Sequence, residues 1–185
     1  MAGCRPCFAT AMNVLALTAA LVFALDQATK WLVLHHIHPH QEIPVLGKFF
    51  CLTHVLNRGA AWGMFASFPH SNIVLASFSI LTILGLWFLR RTLAAVSLPH
   101  RIAFGLIVGG IFGNLTDRIL HGSVVDFLDF YLGETIGRWP AFNIADSAIC
   151  VGVLFYLLVT FWPAKPDVSV PELPSHRKFG APPTK

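Results

Sequence analysis

The sequence predicts an all-α integral membrane domain of four transmembrane helices, with short strands outside the bilayer. Composition is the first observation behind this. The chain is 55% hydrophobic and 12% charged, whereas a soluble domain averages roughly 25% charged. The second is that four apolar runs each approach the ~20 residues needed to cross the hydrocarbon. A soluble protein would have to hide all four at once. The third is that Lys and Arg sit beside those runs and form no basic stripe interleaved with aromatics, so the net charge of +4 is a topology signal and no nucleic-acid partner is expected. A chain of 185 residues fits one domain, which we place at residues 1–163. Residues 164–185, proline-rich and poor in large apolar side chains, are expected to form a disordered cytoplasmic tail.

The first helix is expected from about Ala11 to Leu34. The apolar run from Phe8 to Leu25 resembles a secretory signal peptide. It is longer than a typical signal core, however, and continues through Asp26-Gln27-Ala28-Thr29-Lys30 without a small-residue cleavage site, so it is expected to stay in the mature protein. Asp26 and Lys30 are four apart with the acid first, the favourable order for a helical ion pair. Either a simple pair at the membrane edge or a direct role in a site fits them.

His35-His36-Ile37-His38-Pro39-His40 invites a metal reading. Pro39 breaks helical spacing, and a zinc site needs four ligands with fixed partners, so a polar extramembrane loop is the better expectation. Cys4 and Cys7 form one CxxC without a second pair, and no disulfide is assigned to Cys51 and Cys150. Ile43 to Leu56, aromatic and β-branched, reads as short strands outside the bilayer. Asn57-Arg58-Gly59-Ala60-Ala61-Trp62-Gly63 follows, where small residues allow close backbone approach. A glycine turn and a binding segment both fit it.

The second helix is expected from about Asn72 to Leu89, ending at Arg90-Arg91. A connection with Pro99, His100 and Arg101 leads to the third, about Ile102 to Leu120. Gly105, Gly109, Gly110 and Gly113 give that helix a flat face for tight packing. Its last turns carry Asn114, Asp117 and Arg118. Val124 to Tyr131 then reads as an aromatic-rich interface segment, followed by a loop through Gly133, Gly137 and Pro140. The fourth helix follows Phe142-Asn143-Ile144-Ala145-Asp146 and runs to about Trp162.

Eight of the thirteen Lys and Arg residues (Arg5, Arg90, Arg91, Arg101, Lys165, Arg177, Lys178 and Lys185) fall on one side of this topology. By the positive-inside rule both termini are expected to be cytoplasmic. Asp126 and Asp146 then share the outer face. Two close carboxylates cannot both ionise cheaply, so they share a proton; one can act as base toward water while the other polarises a carbonyl. Such a pair serves a peptidase or a proton relay in a transporter equally well. Asp117 and Asp129 compete for the same role, Asp117 as a partner of Arg118 or a helix cap, Asp129 as a solvated interface residue. A non-catalytic scaffold is a third possibility.

Five blocks taken together resemble the lipoprotein signal peptidase family, also called signal peptidase II. They are Asp26-Gln27-Ala28-Thr29-Lys30, Asn57-Arg58-Gly59-Ala60-Ala61-Trp62, Gly113-Asn114-Leu115-Thr116-Asp117-Arg118, Val124-Val125-Asp126-Phe127 and Phe142-Asn143-Ile144-Ala145-Asp146-Ser147. The resemblance covers about residues 11–163. It implies four membrane helices, a small extracytoplasmic β-cradle and an amphipathic segment over the active site, the last matched to the aromatic stretch after Asp126. It implies an aspartic endopeptidase of the bacterial inner membrane that cleaves diacylglyceryl-modified prolipoproteins before the lipidated cysteine. Asp126 and Asp146 would be the catalytic pair, with Asp26, Lys30, Asn57, Gly59, Asn114, Arg118, Asn143 and Ala145 lining or bracing the site. No metal or organic cofactor is implied; the partners are lipidated substrates and membrane lipids, and a monomer is expected. Trp62 stands where the family usually has Phe, which keeps the ring and adds a donor.

Overall fold

Polarity is inverted along this chain. Its membrane-length helices expose leucine, isoleucine and phenylalanine, and its interior holds charge. The computed structural model describes residues 5–59, 64 and 68–161; Trp62 and the expected tail lie outside these. In chain order the elements are α1 (Arg5–His36), β1 (Glu42–Leu46), β2 (Phe50–Asn57), α2 (Ser71–Phe88), α3 (Arg90–Ala95), α4 (Leu98–His121), β3 (Val124–Tyr131), β4 (Arg138–Phe142) and α5 (Ile144–Phe161).

Among the described residues, four stretches are long and apolar enough to span a bilayer: Met12–His36, Ser71–Phe88, Leu98–His121 and Ile144–Phe161. Leu21 on α1, Phe78 on α2 and Leu154 on α5 are all exposed, whereas Asp26, Lys30, Asp126 and Asn143 are among the most completely buried side chains. In water that arrangement would be an aggregation hazard; in lipid it is the stable one. Helix hydroxyls are satisfied locally, Thr18 donating to Val14 O at 2.9 Å and Thr29 to Leu25 O at 2.9 Å.

Helix α4 lies between α1 and α5, and its glycines make this possible. A Cβ on Gly105 would press on Thr18 and Leu15, and one on Gly109 on Ala19 and Val22, all of α1. One on Gly110 would overlap the Ala145 carbonyl of α5. The glycine face expected from spacing is therefore the packing face. The helix starts earlier than expected, at Leu98, because Pro99 fits the first turn, where no N–H is needed. It ends at Gly122, whose φ of +69° is the left-handed conformation that closes helices.

The all-α expectation is incomplete. The strands form one antiparallel sheet in the order β1-β2-β3-β4. Val124 to Tyr131, expected as an aromatic interface segment and matched to the amphipathic segment, is β3, paired on both sides: Leu128 opposes Leu52 of β2 and Phe142 of β4. The loop through Pro140 contains β4. Phe130 stacks on Phe50 at 4.7 Å and on Phe142 at 5.8 Å between ring centroids, the cross-strand pairing that aromatic residues favour. Val125 and Phe127 pack on Val33 and Ile37 and so fix the sheet to the end of α1. The histidine run is not wholly loop either. His35 and His36 close α1, each Nδ1 bonded to a carbonyl four residues back, Trp31 O at 2.8 Å and Leu32 O at 3.0 Å.

Candidate active site

The start of α5 is held by its own side chains. Asp146 N–H donates to Asn143 Oδ1 at 2.9 Å, and Asn143 N–H donates to Asp146 Oδ2 at 3.4 Å. This is a reciprocal capping box, with Asn and Asp in place of the commoner Ser and Glu. It locks the Asp146 carboxylate against the first turn. The Asn143 amide also donates to Asp126 Oδ1 at 2.7 Å. One fully buried residue thus carries both aspartates, one through its backbone and the other through its side chain.

The remaining oxygens are also engaged. Asn57 Nδ2 donates to Asp126 Oδ2 at 2.9 Å, and Asn114 Nδ2 to Asp146 Oδ1 at 2.7 Å. Asn57 is fixed in turn by Gly59 N–H, which donates to its Oδ1 at 2.8 Å. Arg118 reaches the carbonyls of Asn114 and Gly59, both at 3.3 Å, so it ties α4 to the segment after β2. Its field reaches Asp146, Asp126 and Asp117. Asp126 opens on a cleft of about 330 Å³ lined by Val55, Leu56, Asn57, Arg58, Pro140 and Ala141.

Behind the pair lies a buried ionic cluster. Lys30 Nζ sits 2.9 Å from Asp26 Oδ2, 2.9 Å from Asp117 Oδ2 and 3.0 Å from Asn114 Oδ1. Asp26 and Lys30 thus form the ion pair their spacing predicts, but it is buried in the interior and not exposed at an edge. They brace the Asp126–Asp146 pair: Asp26 Oδ1 accepts Ala145 N–H at 2.9 Å, and Lys30 orients Asn114, which holds Asp146. The small residues Ala145 and Gly113 make room, since a Cβ on Gly113 would overlap the Asp26 carboxylate.

The structure separates the four candidate aspartates. Asp117 neither pairs with Arg118 nor caps its helix; it bonds Lys30 and accepts Val125 N–H at 3.0 Å, pinning the start of β3. Asp129 is not solvated but 4% exposed, 2.9 Å from Arg138. Sequence reasoning missed Gln27, whose amide bridges Asp26 at 3.2 Å and Asp117 at 3.1 Å; only its place between Asp26 and Lys30 hinted at it. It also missed Arg138 and Glu42, which bond across the sheet.

Burial pushes the Asp126 carboxyl up to about 7, and the nearby charge of Asp146 adds to the rise; the amides of Asn57 and Asn143 and the charge of Lys30 oppose it. At that value Asp126 is partly protonated near neutrality, which suits a carboxyl to acid–base chemistry.

Comparison with known proteins follows the same lines. The family described as "Signal peptidase (SPase) II" matches residues 18–162. A lipoprotein signal peptidase of Desulforapulum autotrophicum is 44% identical over 162 residues, 83% of this chain and 95% of the relative. One from Azoarcus is 42% identical over 182 residues, 94% of this chain and 97% of the relative. A solved bacterial membrane enzyme superposes with a TM-score of 0.71 at 29% identity, covering 82% of this chain and 95% of the other. A second gives 0.70 at 30% identity, over 80% and 87%. On sequence and fold alike, the chain belongs to the signal peptidase II family.

Proposed function

We propose that this protein is an aspartic endopeptidase that removes the signal peptide from diacylglyceryl-modified prolipoproteins, cutting just before the lipidated cysteine. The observation that carries this reading is Asn143, which couples Asp126 and Asp146 into one hydrogen-bonded unit. The names of the relatives supply the substrate class.

Asp126 holds the shared proton near neutrality, and Asp146 takes a proton from water. The water oxygen bonds to the scissile carbonyl carbon while Asp126 gives its proton to the carbonyl oxygen. As the resulting diol collapses, Asp126 takes back a hydroxyl proton, the C–N bond breaks, and Asp146 gives the proton it took from water to the departing amine. Asn57, Asn114 and Asn143 keep both carboxyls aimed throughout, so little reorganisation is needed at the moment of reaction. Acyl chains and signal helix hold the substrate in lipid, and the site meets water at the bilayer surface. In this reading the surface is the outer one of the bacterial inner membrane and both termini are cytoplasmic, an orientation supported by the excess of Lys and Arg on the side of the termini. One chain holds the complete pair, so a monomer suffices.

The test is cleavage of a diacylglyceryl-modified prolipoprotein by wild type in liposomes containing ¹⁸O water. Mass spectrometry should find one ¹⁸O in the new carboxylate of the signal peptide and a lipidated cysteine at the product's N-terminus. Failure to cut, or cleavage at another bond, would sink the proposal.

A further inference from the structure

A second cleft, of about 390 Å³, adjoins the first and shares Val55, Pro140 and Ala141 with it. Its other walls are His40, Glu42, Thr53, Asp129, Arg138 and Trp139. None of these residues belongs to a membrane-length helix. We propose that this cleft receives the polypeptide that follows the cleaved bond and disfavours acidic side chains in it.

The inference rests on the peptidase reading and extends it. A substrate of that reaction has two halves: an apolar signal segment that stays in the bilayer and a downstream segment that leaves it. Only the downstream half can lie on the sheet. The two clefts meet at Val55, Pro140 and Ala141. An extended chain advances about 3.3 Å per residue, so the second to fourth residues after the cut bond are those that pass from the first cleft into the second.

Charge sets the preference. Arg138 donates to both Glu42 oxygens and lies 2.9 Å from Asp129 Oδ2. Two carboxylates on one guanidinium leave a net negative wall. Asp129 Oδ1 is buried at that wall with no hydrogen-bond partner, so the site lacks donors and not acceptors. Amides, hydroxyls and ammonium groups suit it, and a carboxylate does not. Glu42 and Arg138 are each about half exposed, at 46% and 49% of their side chains, so a passing chain can feel both.

The experiment uses three diacylglyceryl-modified prolipoproteins that differ only in the second to fourth residues after the cut bond, carrying Ser, Asp or Lys there. Wild type at pH 7 should cleave the Asp form with a KM about 3- to 10-fold above the Ser form. Salt at 0.5 M should shrink that penalty, because exposed charges are screened. Glu42→Gln should reduce the penalty toward unity and Arg138→Gln should enlarge it. Opposite responses from two partners of one ion pair cannot come from a damaged fold. Equal KM values for the Ser and Asp forms in wild type, or variants that both move the penalty the same way, would overturn the inference alone. No cleavage of any form would overturn the peptidase reading and this inference with it.

Discussion

Asn143 does more for the site than either aspartate does for itself. Its backbone and side chain cap α5, and its amide holds Asp126. Asn143→Ala should therefore lower kcat by about 100-fold or more in a cleavage assay. The lost cap should also lower stability by about 1 kcal/mol, readable as a fall in Tm in detergent. Asp126 sets the pH dependence. Its folded value of about 7 lies above the ordinary 3.8, so its contribution to stability is full below pH ~4 and is lost as pH rises through 7. The kcat/KM should fall about tenfold per unit above pH 7, and Asp126→Asn should flatten the loss of Tm between about pH 4 and 8. Little of this was legible residue by residue. Spacing left Asp117 and Asp129 open as rivals, because the partners that decide among them are remote: Lys30 meets Asn114 across 84 residues. The resemblance picked the pair that local chemistry could not.

At the scale of elements, α4 was the most legible. Glycines three and four apart predicted a packing face, and a Cβ on Gly110 or Gly113 would meet α5 or Asp26 directly. Gly113→Ala should cost about 1–3 kcal/mol through overpacking and remove most activity by displacing Asp26. Gly85→Ala on α2 meets open space, so it should leave activity alone and add up to about 1 kcal/mol of helix stability; thermal unfolding of the two variants in one detergent separates these outcomes. The sheet was harder to read. Val124 to Tyr131 has the β-branched and aromatic composition of a strand, but next to an apolar helix the same residues also describe a membrane interface. Only pairing with β2 and β4 decides between these, and pairing is not local.

Across the whole molecule, apolar surface faces lipid and the ionic cluster is the interior. Lys30 is the only described lysine so enclosed, 2% exposed between Asp26 and Asp117. Lys30→Met would leave two buried carboxylates without their cation and should destabilise the fold by about 3–5 kcal/mol, seen as a large drop in Tm. Spans and composition made the membrane character plain from sequence alone. The convergence of α1, α4, α5 and β3 on one point is a property of the assembled fold. The account's central claim concerns what happens at that point, and it is tested most directly by cleavage of a diacylglyceryl-modified prolipoprotein with wild type, Asp126→Asn and Asp146→Asn, all verified as folded. The account predicts turnover by wild type and at least a 1000-fold loss in each variant; turnover within tenfold of wild type by either variant would contradict it.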